Sequence, residues 1–253
     1  MTHRQSATSY DAAGPVGAPA IMFVHGTRVN RKMWLPQVQG LADDYRVLAM
    51  DLPGHGALAD ARFGLEAAME AMTGVLDQEA ADRALLVGSS LGGYMSLEFA
   101  GRLPDRVAGL VLSGCSLNIR GAAALPFQIG ARVLGRVSER WLIRVHEELC
   151  RRMFPPAFAE PIIEAGFSFK AVPDALQVLI GKDFLLLLWE FAGPVLFLNG
   201  QRDRIFCWNQ AAFVAAARDG RLQVIPRGSH RCNLEYPEAF TEALRGFARS
   251  ISW

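Results

Sequence analysis

The chain carries no surplus of either charge: 26 basic residues stand against 25 acidic ones in 253 positions. It therefore lacks the electrostatic footprint of a nucleic-acid scaffold or of a strongly electrostatic membrane binder. Arginine dominates the basic set, which reads as compositional bias. Long apolar runs are missing as well. Phe184 to Trp189 is wholly apolar, but six residues fall far short of the roughly 20 needed to span a bilayer. Met1 to Ala20 contains no apolar core of signal-peptide length, so secretion is not indicated. Cysteine is sparse, and Cys115, Cys150, Cys207 and Cys232 show no metal-ligand spacing. With 51% apolar residues the chain can bury one large core without a disulfide framework. No internal repeat or low-complexity segment is present. These absences leave a soluble cytoplasmic protein with neither a metal nor a nucleic-acid partner expected.

What the chain does have is alternation. Short apolar runs at Ile21–Val24, Tyr45–Met50, Leu85–Val87, Val107–Leu112, Val195–Leu198 and Leu222–Ile225 are separated by helical patterns. That rhythm predicts an α/β fold, a mostly parallel twisted sheet with helices on both faces. Leu65, Met69, Met72 and Leu76 mark one amphipathic helix, a second starts at Leu91, and a third runs from Pro237 to Ile251. The rhythm breaks over residues 117–191. Trp141, Leu142, Val145 and Leu149 keep helical spacing there, prolines divide the span, and Leu176 to Trp189 is apolar on most sides. The expectation is a core domain of residues 1–116 and 192–253 with a helical lid inserted between; the alternative is that these helices simply cover the sheet. The apolar lid surface would serve a homodimer interface as readily as a pocket.

The chemistry starts at Gly88-Ser89-Ser90-Leu91-Gly92, directly after an apolar strand pattern and opening a helical one. A serine hydroxyl needs exposure, aim and a base; a sharp strand-to-helix turn with small residues two before and two after supplies the first two. Only Ser90 has glycine at both of those flanks. Of five histidines, His3 lies in the terminus, His55 in a Gly-rich turn and His146 inside a lid helix. His230 follows the last predicted strand, so it shares with Ser90 a place at the carboxyl ends of the strands, where ligands of α/β sheets bind. It is the candidate base, the plain alternative being a surface-loop histidine. Asp203, after Val195–Leu198, is the candidate to orient it. Asp51 also follows a strand, but it precedes Pro53-Gly54-His55-Gly56 and reads as a hydrogen-bond acceptor for that turn. Backbone N–H groups of Leu91 and Thr27 are the candidate oxyanion donors, Gly26 letting the chain turn inward.

Taken together, His25-Gly26, Asp51-Leu52-Pro53-Gly54-His55-Gly56, Gly88-Ser89-Ser90-Leu91-Gly92-Gly93, Gly200-Gln201-Arg202-Asp203 and Gly228-Ser229-His230 resemble the α/β-hydrolase superfamily, in its lidded branch of small esterases, lactonases and cofactor-free peroxidase-like enzymes. The pieces occur in that family's order and cover nearly the whole chain outside the lid. The resemblance implies acylation of Ser90 by a small, fairly apolar ester or lactone, with no cofactor. Serine rather than aspartate at position 90 sets the chain apart from dehalogenases and epoxide hydrolases. C–C bond hydrolysis, acyl transfer to another acceptor, or ligand binding on a retained scaffold remain open, because one scaffold hosts many chemistries. Candidate pocket residues are His25 and Arg28 beside the strand ends, and Phe127, Leu134, Trp141, Phe167, Phe184 and Trp189 from the lid. For each of these six lid residues, core packing is the favoured reading over pocket lining.

Overall fold

The computed structural model describes residues 8–121, 124–134 and 136–253; His3 lies outside them, as does the side chain of Leu134. Seven strands form one sheet in the order β1-β3-β2-β4-β5-β6-β7. They are β1 (Tyr10–Ala13), β2 (Ala20–Val24), β3 (Arg46–Met50), β4 (Ala84–Ser89), β5 (Val107–Ser113), β6 (Pro194–Gly200) and β7 (Asp219–Ile225). All neighbours pair in parallel except β1, which runs antiparallel along β3. The three central strands β2, β4 and β5 are almost wholly buried, as parallel strands covered on both faces must be.

One face is covered by α2 (Leu65–Gln78), α3 (Leu91–Arg102) and α9 (Gln210–Ala216), whose side chains join Met22, Leu86, Leu110 and Phe197 in one core. The other is covered by α1 (Leu35–Leu41) and α11 (Pro237–Ser250), packed on Ile21, Val47, Leu85 and Leu196. The alternation of side chains along each strand produces this division: Ile21 and Phe23 face one layer, Met22 and Val24 the other.

Between β5 and β6 lie α4 (Ala124–Leu134), α5 (Glu139–Met153), α6 (Pro156–Glu164), α7 (Val172–Leu179) and α8 (Phe184–Glu190), with no strand among the described residues. The apolar stretch Leu176–Trp189 is therefore not one helix. Gly181, at φ +85°, turns the chain, and Asp183 caps the next helix by accepting from the Leu186 N–H. The short α10 (Cys232–Glu235) follows β7. Asn30 anchors the segment to the core by donating to the carbonyls of Ile162 and Gly166, and Lys182 pairs with Glu98 of α3. No helix among the described residues is long and apolar enough to cross a membrane.

Candidate active site

Ser90 sits at the turn from β4 into α3 with φ 52° and ψ −118°, a conformation that a residue bearing a Cβ adopts only under compensation. The compensation is visible. The Ser90 N–H donates to the Ser113 carbonyl of β5 at 2.8 Å, and the Ser90 carbonyl accepts from Gly93 and Tyr94 of the first helical turn. Gly88 and Gly92 have no room for a side chain: a Cβ at 92 would strike the Val24 carbonyl, and one at 88 the Gly92 carbonyl. This close approach is why the small flanks of the serine are required here.

His230 stands in the loop after β7. Its Nδ1 lies 2.6 Å from Oδ2 of Asp203, which follows β6. A carboxylate only accepts, so Nδ1–H donates and Nε2 is left as the free, basic nitrogen. The Phe206 ring lies over the imidazole at 4.3 Å between centroids. The second carboxylate oxygen of Asp203 accepts from the Phe206 N–H. The two loops are tied together: Arg202 N–H donates to the Gly228 carbonyl, and Gln201 accepts from Arg227 N–H. Glu235 of α10 takes both the N–H and the hydroxyl of Ser229, fixing the residue just before the histidine.

Ser90, Asp203 and His230 all line one cavity of about 690 Å³, together with Thr27, Arg28 and Leu91. Among the described residues, no hydrogen bond joins the Ser90 hydroxyl to His230, and neither Thr27 N–H nor Leu91 N–H has an acceptor. Contacts of this kind at a candidate site commonly tighten only with a ligand bound. Gly26 does not itself turn inward: it has ordinary φ, and the turn is made by Arg28 at φ +72°. Its role is proximity, since a Cβ there would lie 3.3 Å from that of Ser90.

The sequence-based pocket residues divide. Phe127, Phe167 and Arg28 line the cavity. His25, Trp141, Phe184 and Trp189 do not. Trp141 and Trp189 are 57% and 61% exposed on outward helix faces. Phe184 is buried against Tyr94, 4.4 Å between ring centroids. His25 is sealed in the core: Nδ1–H donates to the Gly26 carbonyl at 2.7 Å and Nε2 accepts from Leu52 N–H at 3.0 Å. Both nitrogens are spent on backbone, and burial lowers the pKa of the ring so that it stays neutral. Asp51 accepts from Arg31 and Ala57 backbone N–H groups and pairs with the Arg31 guanidinium, holding the His55 turn.

Two residues at this site gave no usable sequence signal. Gly114, at φ +62°, lies under the histidine: a Cβ there would be 2.6 Å from Cε1 and 2.7 Å from Nδ1 of His230. Its N–H is fixed by the Asn199 side chain at 2.9 Å. Tyr94 both accepts from and donates to Leu117, pinning the start of the helical segment beside the cavity. Cys115 and Cys207 are buried thiols whose pKa burial pushes up, which leaves them protonated and poor nucleophiles. Among the described residues no three His, Cys, Asp or Glu side chains are grouped to hold a metal.

Residues 21–243 match the model of the alpha/beta hydrolase family. The chain is 28% identical to a pimeloyl-[acyl-carrier protein] methyl ester esterase of Neisseria meningitidis over 94% of its length and 96% of that protein. It is 25% identical to 3-oxoadipate enol-lactonase 2 of Acinetobacter baylyi, covering all of this chain and 97% of the other. Among solved structures, a thermophilic esterase from Thermogutta terrifontis superposes with a TM-score of 0.77 at 26% identity, over 96% of this chain and 93% of that one.

Proposed function

This chain belongs to the alpha/beta hydrolase family, and from that premise we propose that it is a serine hydrolase of carboxylic esters or lactones. One observation carries the reading: the 2.6 Å contact between Asp203 and His230 Nδ1, on a ring that shares its cavity with Ser90. Asp203 fixes the tautomer, His230 Nε2 takes the Ser90 proton, and the serine oxygen attacks the ester carbonyl. The oxyanion that forms is met by the N–H groups of Leu91 and Thr27. His230 then returns the proton to the departing alcohol, and activates the water that releases the acid from the serine. A lactone is an ester whose alcohol stays attached, so the same steps open it. Similarity to an esterase and to an enol-lactonase supports both substrate types.

Residues 117–191 act in this reading as the lid, closing an apolar chamber over Ser90 with Phe127, Met153, Phe167 and Leu176 on its wall. Four free, buried cysteines fit a reducing, cytoplasmic setting. The test is a panel of short p-nitrophenyl esters and lactones on the wild type and Ser90→Ala, with fluorophosphonate labelling in parallel. Turnover and labelling that both vanish in Ser90→Ala are expected. Turnover that survives in Ser90→Ala would overturn the assignment.

A further inference from the structure

The charged lining of the cavity is lopsided. Among the described residues it contains four arginines, Arg28, Arg202, Arg204 and Arg231, and a single carboxylate, Asp203, which is committed to His230. Among the described residues none of the four guanidiniums has a carboxylate within 4 Å. Ten other arginines sit in ion pairs, whereas these four have no carboxylate partner among the described residues.

Two of the four are placed by the candidate chemistry itself. Arg28 follows Thr27, and its unusual φ is held by the Ser168 N–H donating to its carbonyl. Arg231 follows His230. Arg28, Arg231 and His146 of α5 all line the cavity, and both arginines are exposed at its mouth; burial and then the charges of Arg28 and Arg231 lower the pKa of His146. Two guanidiniums that line one cavity without a counter-ion repel each other, and a bound anion would remove that repulsion. We propose that Arg28 and Arg231 form an anion subsite next to Ser90, so that the substrate is an ester carrying a carboxylate or phosphate group. The substrate class is thereby narrower than a neutral apolar ester; the proposal rests on the serine-hydrolase reading only for the word ester.

Binding to Ser90→Ala separates the two. Monomethyl adipate, dimethyl adipate and methyl 4-phosphonobutanoate are titrated by calorimetry, and the two adipates are assayed for turnover on the wild type. The anionic ester is expected to bind roughly 10- to 100-fold more tightly than the diester, the range for hydrogen bonds to a charged group. Arg28→Gln with Arg231→Gln should bring the two affinities together, while Arg28→Lys with Arg231→Lys, a folding control that keeps the charge, retains part of the preference. The phosphonate arm tells which oxyacid fits better. Equal affinities in Ser90→Ala, or a preference that persists in the double glutamine variant, would overturn the subsite. Anion preference without wild-type turnover supports the subsite and fells the catalytic reading; turnover without preference does the reverse.

Discussion

Two histidine–aspartate pairs lie at the carboxyl edge of the same sheet, and their hydrogen bonding differs in kind. His25 and Asp51 are fully buried with 3.9 Å between Nε2 and Oδ1; His230 and Asp203 meet at 2.6 Å with the imidazole side chain 31% exposed. Both ring nitrogens of His25 are taken by backbone groups, and Asp51 is taken by Arg31 and two backbone N–H groups. His230 has one nitrogen held and one facing a cavity. A histidine whose every bond is satisfied locks a loop; one left with a free nitrogen, in a cavity that a serine shares, is free to take up a proton. Residue type and strand-end position are the same in both pairs. Only the hydrogen-bond inventory separates them.

The sharpest way to break this contrast is to swap the consequences. His230→Gln should lower kcat by about four orders of magnitude or more, and Asp203→Asn by about 10⁴, with little change in melting temperature. Chemical denaturation beside ester turnover checks both. A large stability loss in either variant would show that this pair, too, is structural. The mirror experiment is Arg31→Ala, which strands the buried Asp51 carboxylate. Removing one partner of a buried ion pair is worth about 3–5 kcal/mol. Unfolding should shift by that amount while the remaining folded enzyme keeps its kcat; a kcat defect without destabilisation would place the Asp51 cluster in the chemistry.

Gly114→Ala sharpens the comparison from the other side. The added methyl would fall 2.6 Å from His230 Cε1, against a ring already pinned by Asp203 and Phe206. The imidazole must yield by a fraction of an ångström, and displacements near 1 Å are worth about 10²-fold in rate. A drop of that order in kcat/KM with unchanged KM is expected, and steady-state kinetics reads it directly. Unaltered kinetics would mean that the ring has slack.

Much of this was legible from residues alone, because the physics is local. Buried β-branched and leucine-rich runs can satisfy themselves only as covered parallel strands, and the glycines around Ser90 have one steric purpose. The half-buried strand β1, Tyr-Asp-Ala-Ala, escapes such a reading because an edge strand needs no apolar alternation; its hydrogen bonds to β3 define it. Cavity walls are harder still. Trp141 and Phe127 are equally aromatic and both lie on helices, yet one points outward and one lines the cavity, since the orientation of a helix about its axis is set by what it packs on. Gly114 and Arg231 were hidden for a related reason: a residue without a side chain and a loop arginine acquire meaning only from the group that comes to rest beside them.

The smallest effect tests the sealed pair through acidity. His25 and His55 lie 5.0 Å apart in the core; burial, helped by His25, pushes the pKa of His55 down to about 3, and burial lowers that of His25. Unfolded, each ring takes its proton near pH 6.5. The unfolded state therefore binds more protons at every pH between 6.5 and 3, so stability is complete above 6.5 and drains away as the pH falls through that window. The slope is about 1.4 kcal/mol per pH unit for one such group, or about 2 kcal/mol for His55 between pH 6.5 and 5. Urea unfolding of wild type and His55→Gln at pH 7.5, 6 and 5 isolates the contribution, because the carboxylates with lowered pKa values, such as Asp11 and Glu79, act at lower pH. The wild type should lose stability faster than the variant as the pH drops. Parallel curves would mean that His55 is protonated as easily in the fold as outside it, and that its burial does not keep it neutral.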